Sequence, residues 1–168
     1  MNTFKRLFKH ATTGALAVRR DFPAESLSAI EQAVKACEQQ HPGEVRFAVE
    51  PALPLQAVWR GLTARARAVQ VFSELRVWDT AHNDGVLIYV LLADRAVEIV
   101  ADRGVAHGRV PQSEWDEACR VMQTQFRAGH YQAGAVAGVQ AVAAVLARYP
   151  AGPKDVGNEQ PNAPVILS

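Results

Sequence analysis

Asp79, Asn83, Asp84 and Asp102 carry the chemistry most worth weighing in this chain. Side-chain oxygens delivered by loops to one place are the ligands that Ca2+ or Mg2+ takes. Asp79, Asn83 and Asp84 lie just before an apolar run from Val86 to Leu92, and Asp102 ends a second run that starts at Val97. A two-residue turn at Asp94-Arg95 would make those runs an antiparallel hairpin with Gly85 opposite Gly104 and Asp102 opposite Leu87. Asp84 and Asp102 then reach the same end, and the loop through Asp79 and Asn83 arrives beside them. Continuing that ladder sets His82 opposite His107, two imidazoles that would widen the ligand set towards Zn2+ or another transition ion. Arg103 stands next to Asp102 as a clamp for a phosphate oxygen. The same residues also fit a plainer account. Asp79 caps a turn, Asp84 precedes a glycine as turns prefer, Asp102 pairs with Arg103 or Arg109, and the histidines are solvated. At the hairpin's other end Asp94 and Arg95 read as turn chemistry, and His10 and His130 have no sequence-near partner.

The elements that must position these residues follow from periodicity. Val45, Phe47 and Val49 alternate with Glu44, Arg46, Ala48 and Glu50, the two-residue period of a strand. The segment Val86 to Leu92 is apolar on both faces, which suits a central strand covered by helices on each side. Helical spacing runs from about Pro23 to Gln40 through Leu27, Ile30, Val34 and Cys37, and from about Leu55 to Leu75 with a break near Gly61. Two further helices follow, one opening near an N-cap at Ser113 and stopping at Gly129, one from about Tyr131 to Arg148. The expected fold class is therefore α/β, a central mixed β-sheet containing an antiparallel hairpin, sandwiched between α-helices. Phe4, Leu7, Phe8 and Ala11 recur at helical spacing, so residues 1–22 are expected to form a basic, amphipathic helical segment that docks its apolar stripe on the domain. Residues 23–150 make the domain, and the Pro-, Gly- and Asn-rich stretch 151–168 is expected to be a disordered tail.

The chain has 168 residues, enough for one core, and its formal net charge of +1 offers no field for gathering polyanions, so nucleic acid is excluded as the expected partner. Cys37 and Cys119 are far apart and lack a C-x-x-C partner, which points to a reducing, cytoplasmic setting and to buried, inert thiols. Lys5, Arg6 and Lys9 precede a short apolar stretch, but Arg19-Arg20-Asp21 follows instead of a small-residue cleavage site. No transmembrane segment is expected. The stretch Ala133 to Ala147 is too short and too rich in Ala and Gly to span a bilayer.

The segment Trp78 to Tyr89, with Asn83-Asp84-Gly85-Val86-Leu87, then Ala93-Asp94-Arg95, then Val97 to Gly104, resembles the core of the TPM-domain family, the thylakoid acid-phosphatase-like domain, in a short cytoplasmic form. Phe126, Gly129, Tyr131, Gly134 and Gly138 reproduce that family's spacing of aromatic and glycine positions, and the likeness covers about residues 24–150. It implies a layered fold, a mixed sheet between helices, with some members resembling acid phosphatases and some similar to calcium-binding proteins through acidic loops. Many longer members end the second hairpin strand in Gly-x-Gly where this chain has Asp102-Arg103-Gly104, and carry a secretion signal and a membrane anchor that are not read here. The functional expectation is a TPM-like domain holding Ca2+ or Mg2+ at the acidic hairpin end, with metal-dependent phosphatase activity as the catalytic form of that reading. The alternative is a non-catalytic protein-interaction module without a metal site.

Overall fold

The structure, a computed structural model, describes residues 2–106, 108–153 and 157–168. Its sheet is built outward from two central strands, β1 (Val45–Glu50) and β2 (Val86–Leu91), every residue of which is buried. They pair in parallel, Val45 with Val86 through to Glu50 with Leu91. β3 (Ala96–Ala101) pairs antiparallel with β2, and β4 (Val165–Ile166) pairs parallel with the far edge of β1, giving the order β3-β2-β1-β4. The mixed sheet with its antiparallel hairpin is thus the one expected.

Alternation of side chains divides the core in two. Val45, Phe47 and Val49 of β1 with Val86, Ile88 and Val90 of β2 face α3 (Ala24–Glu38), α6 (Gln112–Arg127) and α7 (Tyr131–Arg148). Ala48, Leu87, Tyr89 and Leu91 face α4 (Leu55–Trp59) and α5 (Ala64–Glu74) on the opposite side. The break between α4 and α5 falls where the spacing puts it: Gly61 takes a positive φ of 83°, and Thr63 caps the second helix by accepting from the Ala66 amide. α6 begins at Gln112 behind Pro111, not at a Ser113 cap, because proline's fixed φ already suits the helix entrance. On the α7 side Gly138 lets Met122 of α6 approach so closely that a methyl group there would lie 2.2 Å from the Met122 sulfur.

Three further expectations are corrected. The hairpin turn is a four-residue loop, 92–95, so that Leu91 pairs with Ala96 and the register is shifted by two from the two-residue turn. The amides of Leu92 and Ala93 are taken by the carbonyls of Glu50 and Pro51, which extends the parallel pairing with β1 and withdraws these residues from the ladder with β3. The C-terminal stretch is the second correction. Residues 157–168 run back across the domain and supply β4, with Gln160 buried, the Glu159 and Gln160 amides donating to the Glu44 carboxylate, and Arg46 donating to the Pro161 carbonyl.

The third concerns the N-terminal helix, α1 (Thr3–Thr12), which precedes α2 (Ala15–Asp21). It docks, but rolled so that Leu7 alone of the expected stripe turns inward. Phe4 and Phe8 are both 71% exposed, whereas Arg6, Leu7 and His10 face inward. Arg6 and His10 lie one turn apart, and both bind Asp94 in the hairpin loop. That polar anchorage sets the roll of the helix and leaves the phenylalanines outside, Phe4 meeting the exposed Trp59 edge to face at a ring separation of 6.5 Å. No helix among the described residues is long and apolar enough to cross a membrane.

Candidate functional site

The hairpin has two ends, and each gathers polar residues for a different reason. At the strand-entry end the Asp102 amide donates to the Gly85 carbonyl and the Gly104 amide to the Asn83 carbonyl, so Asp84 lies opposite Arg103. The close approach depends on glycine. A methyl group on Gly85 would sit 1.9 Å from the Val77 carbonyl oxygen, and one on Gly104 would sit 2.3 Å from that of His82. Asn83 adopts a positive φ of 53°, a conformation that asparagine tolerates better than most residues.

Asp84 is the unusual group here. It is 1% exposed, its amide donates to the Thr80 hydroxyl at 3.1 Å, and neither carboxylate oxygen has a hydrogen-bond partner. Burial pushes its pKa up; the nearby Thr80 hydroxyl, its own amide and His82 pull the other way without forming a hydrogen bond to the carboxylate. Asp102 accepts the Arg103 amide on Oδ1 at 2.7 Å, while its Oδ2 is buried and unpartnered. Arg103 donates Nε–H to Asn83 Oδ1 at 3.0 Å, so its guanidinium is attached to the loop rather than to either carboxylate.

The other expected members are placed differently. Asp79 is exposed on the turn, where its carbonyl lies 3.5 Å from the Gln160 side-chain amide. His82 packs its ring on Gly152, since a methyl group there would come 2.7 Å from Nδ1. His107 lies outside the described residues. Among the described residues no three His, Cys, Asp or Glu side chains are grouped as a metal-binding set. The structure therefore brings Asn83, Asp102 and Arg103 together beside a buried Asp84 and leaves Asp79 at the surface. The thiols are poor nucleophiles: burial, then the Glu38 charge, raises Cys37, and burial first of all pushes Cys119 up to about 12.

The turn end reads from sequence as surface turn chemistry, which is corrected, and His10, which has no sequence-near partner, finds distant ones. Asp94 receives three hydrogen bonds from the Arg6 guanidinium, the shortest 2.7 Å, and lies 3.1 Å from His10 Nε2; His10 Nδ1 accepts the Leu53 amide at 2.9 Å. The accepting Nδ1 places the ring proton on Nε2, facing the carboxylate. Burial acts to raise the Asp94 carboxyl, but Arg6 and His10 outweigh it and hold the carboxyl below its ordinary range. Partners 84 and 88 residues apart leave no trace in local periodicity. Beyond Asp94 the loop borders a cavity of about 520 Å3 between the ends of β2 and β3 and the α6–α7 turn, lined by Arg95, Arg127, Phe126 and Tyr131 among others. The one sequence sign of it is that aromatic and glycine spacing, whose Phe126, Gly129 and Tyr131 form its wall.

The model of the TPM domain family, TPM_phosphatase, matches residues 22–145. Among solved structures, the NMR structure of the BA42 protein from the psychrophilic bacterium Bizionia argentinensis superposes with a TM-score of 0.73 at 30% identity, covering 86% of this chain and 94% of that one. No curated protein matches the chain.

Proposed function

The chain belongs to the TPM-domain family, and from that premise we propose that it binds a hard divalent cation, Ca2+ or Mg2+, weakly at the strand-entry end of the hairpin. The observation that carries this reading is the Asp84 carboxylate, wholly buried with both oxygens unpartnered. An isolated buried charge is costly, and a protein normally relieves it with a donor or a cation. No described donor reaches Asp84, and the orphaned Oδ2 of Asp102 at the same strand end adds a second oxygen of the right kind. Hard cations accept such oxygens together with backbone carbonyls and water. Two carboxylates without a third fit a weak site better than a tight one. Asp79 and Asn83 fall to the outer part of the site in this reading, and His82 and His107 stand as additional ligands only for a softer ion.

Phosphatase chemistry is the catalytic extension of the same reading. A cation there would supply a Lewis acid and an activated water. From this chain, Asp84 and Asp102 would hold it and Arg103, positioned by Asn83, would face the phosphate.

The test is a Ca2+ and Mg2+ titration of the full chain followed by melting temperature and amide NMR. Either ion is expected to raise the melting temperature and shift the amides of residues 83–85 and 102–104, and Asp84→Asn with Asp102→Asn is expected to abolish both effects while the fold persists. If millimolar ion changes neither observable, the cation reading fails and the interaction module takes its place. Hydrolysis of para-nitrophenyl phosphate that depends on the ion and on Asp84 separates a phosphatase from a binding domain.

A further inference from the structure

We propose that the cavity at the turn end of the hairpin is a second, separate site, which binds a small organic anion: a carboxylate or phosphate head held by Arg95 and Arg127, with an apolar body against Phe126 and Tyr131.

Position is the first argument. β1 and β2 are parallel, and the loop 92–95 leaves their carboxyl ends, the edge of an α/β sheet where crevices take ligands. The cavity of about 520 Å3 lies at that edge and has the size of a small-molecule pocket.

Charge is the second. Two carboxylates lie close by, and both are already matched: Asp94 by Arg6 and His10, and Asp21 by Arg20 at 2.6 Å. The remaining charges on the cavity wall are Arg95 and Arg127, and neither guanidinium group has a hydrogen-bond or ion-pair partner among the described residues. Two guanidinium groups on the wall of a cavity that Phe126 and Tyr131 also line suit a planar anionic group, because the fork of N–H donors matches a carboxylate or phosphate edge. Arg127 by itself has an ordinary explanation, since a cation at a helix C-terminus is favoured by the helix dipole.

Backbone conformation is the third argument: Arg95, like Arg76 in the turn after α5, takes a left-handed conformation that arginine rarely adopts. Arg95 is held at a φ of +52° in the last position of a turn closed by its own amide donating to the Leu92 carbonyl at 3.0 Å. Glycine or asparagine would occupy this left-handed position with less strain. Arginine there brings a stability cost, and strain of this kind concentrates where a side chain is needed for binding. The inference does not depend on the cation reading, whose residues are at the opposite end of the strands.

The test uses the full chain with phenyl phosphate, benzoate and inorganic phosphate as probes, followed by amide NMR, with melting temperature measured for each variant. The expected result is a saturable shift of amides in residues 92–96 and 126–131, stronger for the aromatic anions than for inorganic phosphate. Arg95→Gly is expected to raise the melting temperature and at the same time weaken the aromatic anions by about tenfold or more, the loss of one charged hydrogen-bonding group. Arg127→Gln should weaken them similarly without the gain in stability. The proposal is overturned if Arg95→Gly stabilises the fold and leaves binding unchanged, if no probe saturates below about 20 mM, a limit equal to about 2.3 kcal/mol of binding, or if the shifts gather around Arg103 instead.

Discussion

Replacing Glu38 by glutamine should flatten the pH dependence of stability in the neutral range, and the size of the effect follows from how the C-terminal segment is held. Glu38 ends α3, accepts the Val45 amide at 3.2 Å, receives the Asn162 side-chain amide, and faces Glu44, which in turn accepts the amides of Glu159 and Gln160. Burial is the largest influence on the Glu38 carboxyl; the Val45 amide opposes it, the Glu44 charge adds to it, and the result is a pKa pushed up to about 8. Glu44 is raised as well, again chiefly by burial. A carboxyl that keeps its proton longer folded than unfolded stabilises the fold fully below the unfolded value of about 4.3. That contribution is lost as pH rises through the folded value, so the window is about pH 4.5 to 8. One proton limits the slope to about 1.4 kcal/mol per pH unit. Because Glu44 shares the proton and Glu38 keeps some contact with solvent, we expect a swing of about 1–2 kcal/mol, or about 3–6 °C in melting temperature for a chain of this size. A glutamine side chain mimics the protonated acid at every pH. The Glu38→Gln variant should therefore melt near the wild type at pH 5 and several degrees above it at pH 8, with slower hydrogen exchange at the Gln160 amide. Calorimetric melts of both proteins at pH 5, 6.5 and 8 check this, and parallel profiles for the two would refute a proton held at Glu38.

Arg67→Met should cost about 3–5 kcal/mol in urea denaturation, since Glu50 is 2% exposed and would lose the guanidinium that now binds both its oxygens. Tyr89→Phe, which removes only the hydroxyl donating to Glu50, should cost less, about 1–3 kcal/mol. Gly85→Ala should be more damaging than Gly138→Ala: the first meets the Val77 carbonyl in the backbone, while the second meets the Met122 side chain, which can turn aside for about 1–3 kcal/mol as read by denaturant midpoints. Asp94→Asn should release α1, seen as faster hydrogen exchange and early proteolysis within residues 3–12 with the sheet core still protected, because Arg6 and His10 are bound to that one carboxylate. Wild-type protein should show the same release on acidification, as the depressed Asp94 carboxyl finally protonates and the stability it lends above its unfolded pKa is lost.

Local pattern determined the framework. The alternation from Val45 to Val49 and the doubly apolar run from Val86 are short-range signals of a covered sheet, and the helical spacings marked α3, the α4–α5 break and α7 nearly to the residue. The Asn83-Asp84-Gly85-Val86-Leu87 strand entry, the Asp94-Arg95 turn and the aromatic and glycine spacing around Phe126 and Tyr131 together named the family that the comparisons then matched. Register was decided elsewhere. Whether Leu92 belongs to the hairpin depends on Glu50 and Pro51, whose carbonyls claim the loop amides from a strand more than forty residues upstream. The same holds for the roll of α1, where apolar periodicity pointed inward but a carboxylate 84 residues from His10 turned the polar face in. It holds again for the C-terminal stretch, whose composition reads as unstructured and whose place on the sheet edge comes from Glu44 and Arg46 binding its backbone. At the candidate site, sequence brought the acidic residues to one strand end, but only burial distinguished Asp84, stripped of partners, from Asp79 in solvent. Periodicity reports which face a residue shares with its neighbours; a hydrogen bond between distant polar groups has no period, so it appears only when the chain is folded.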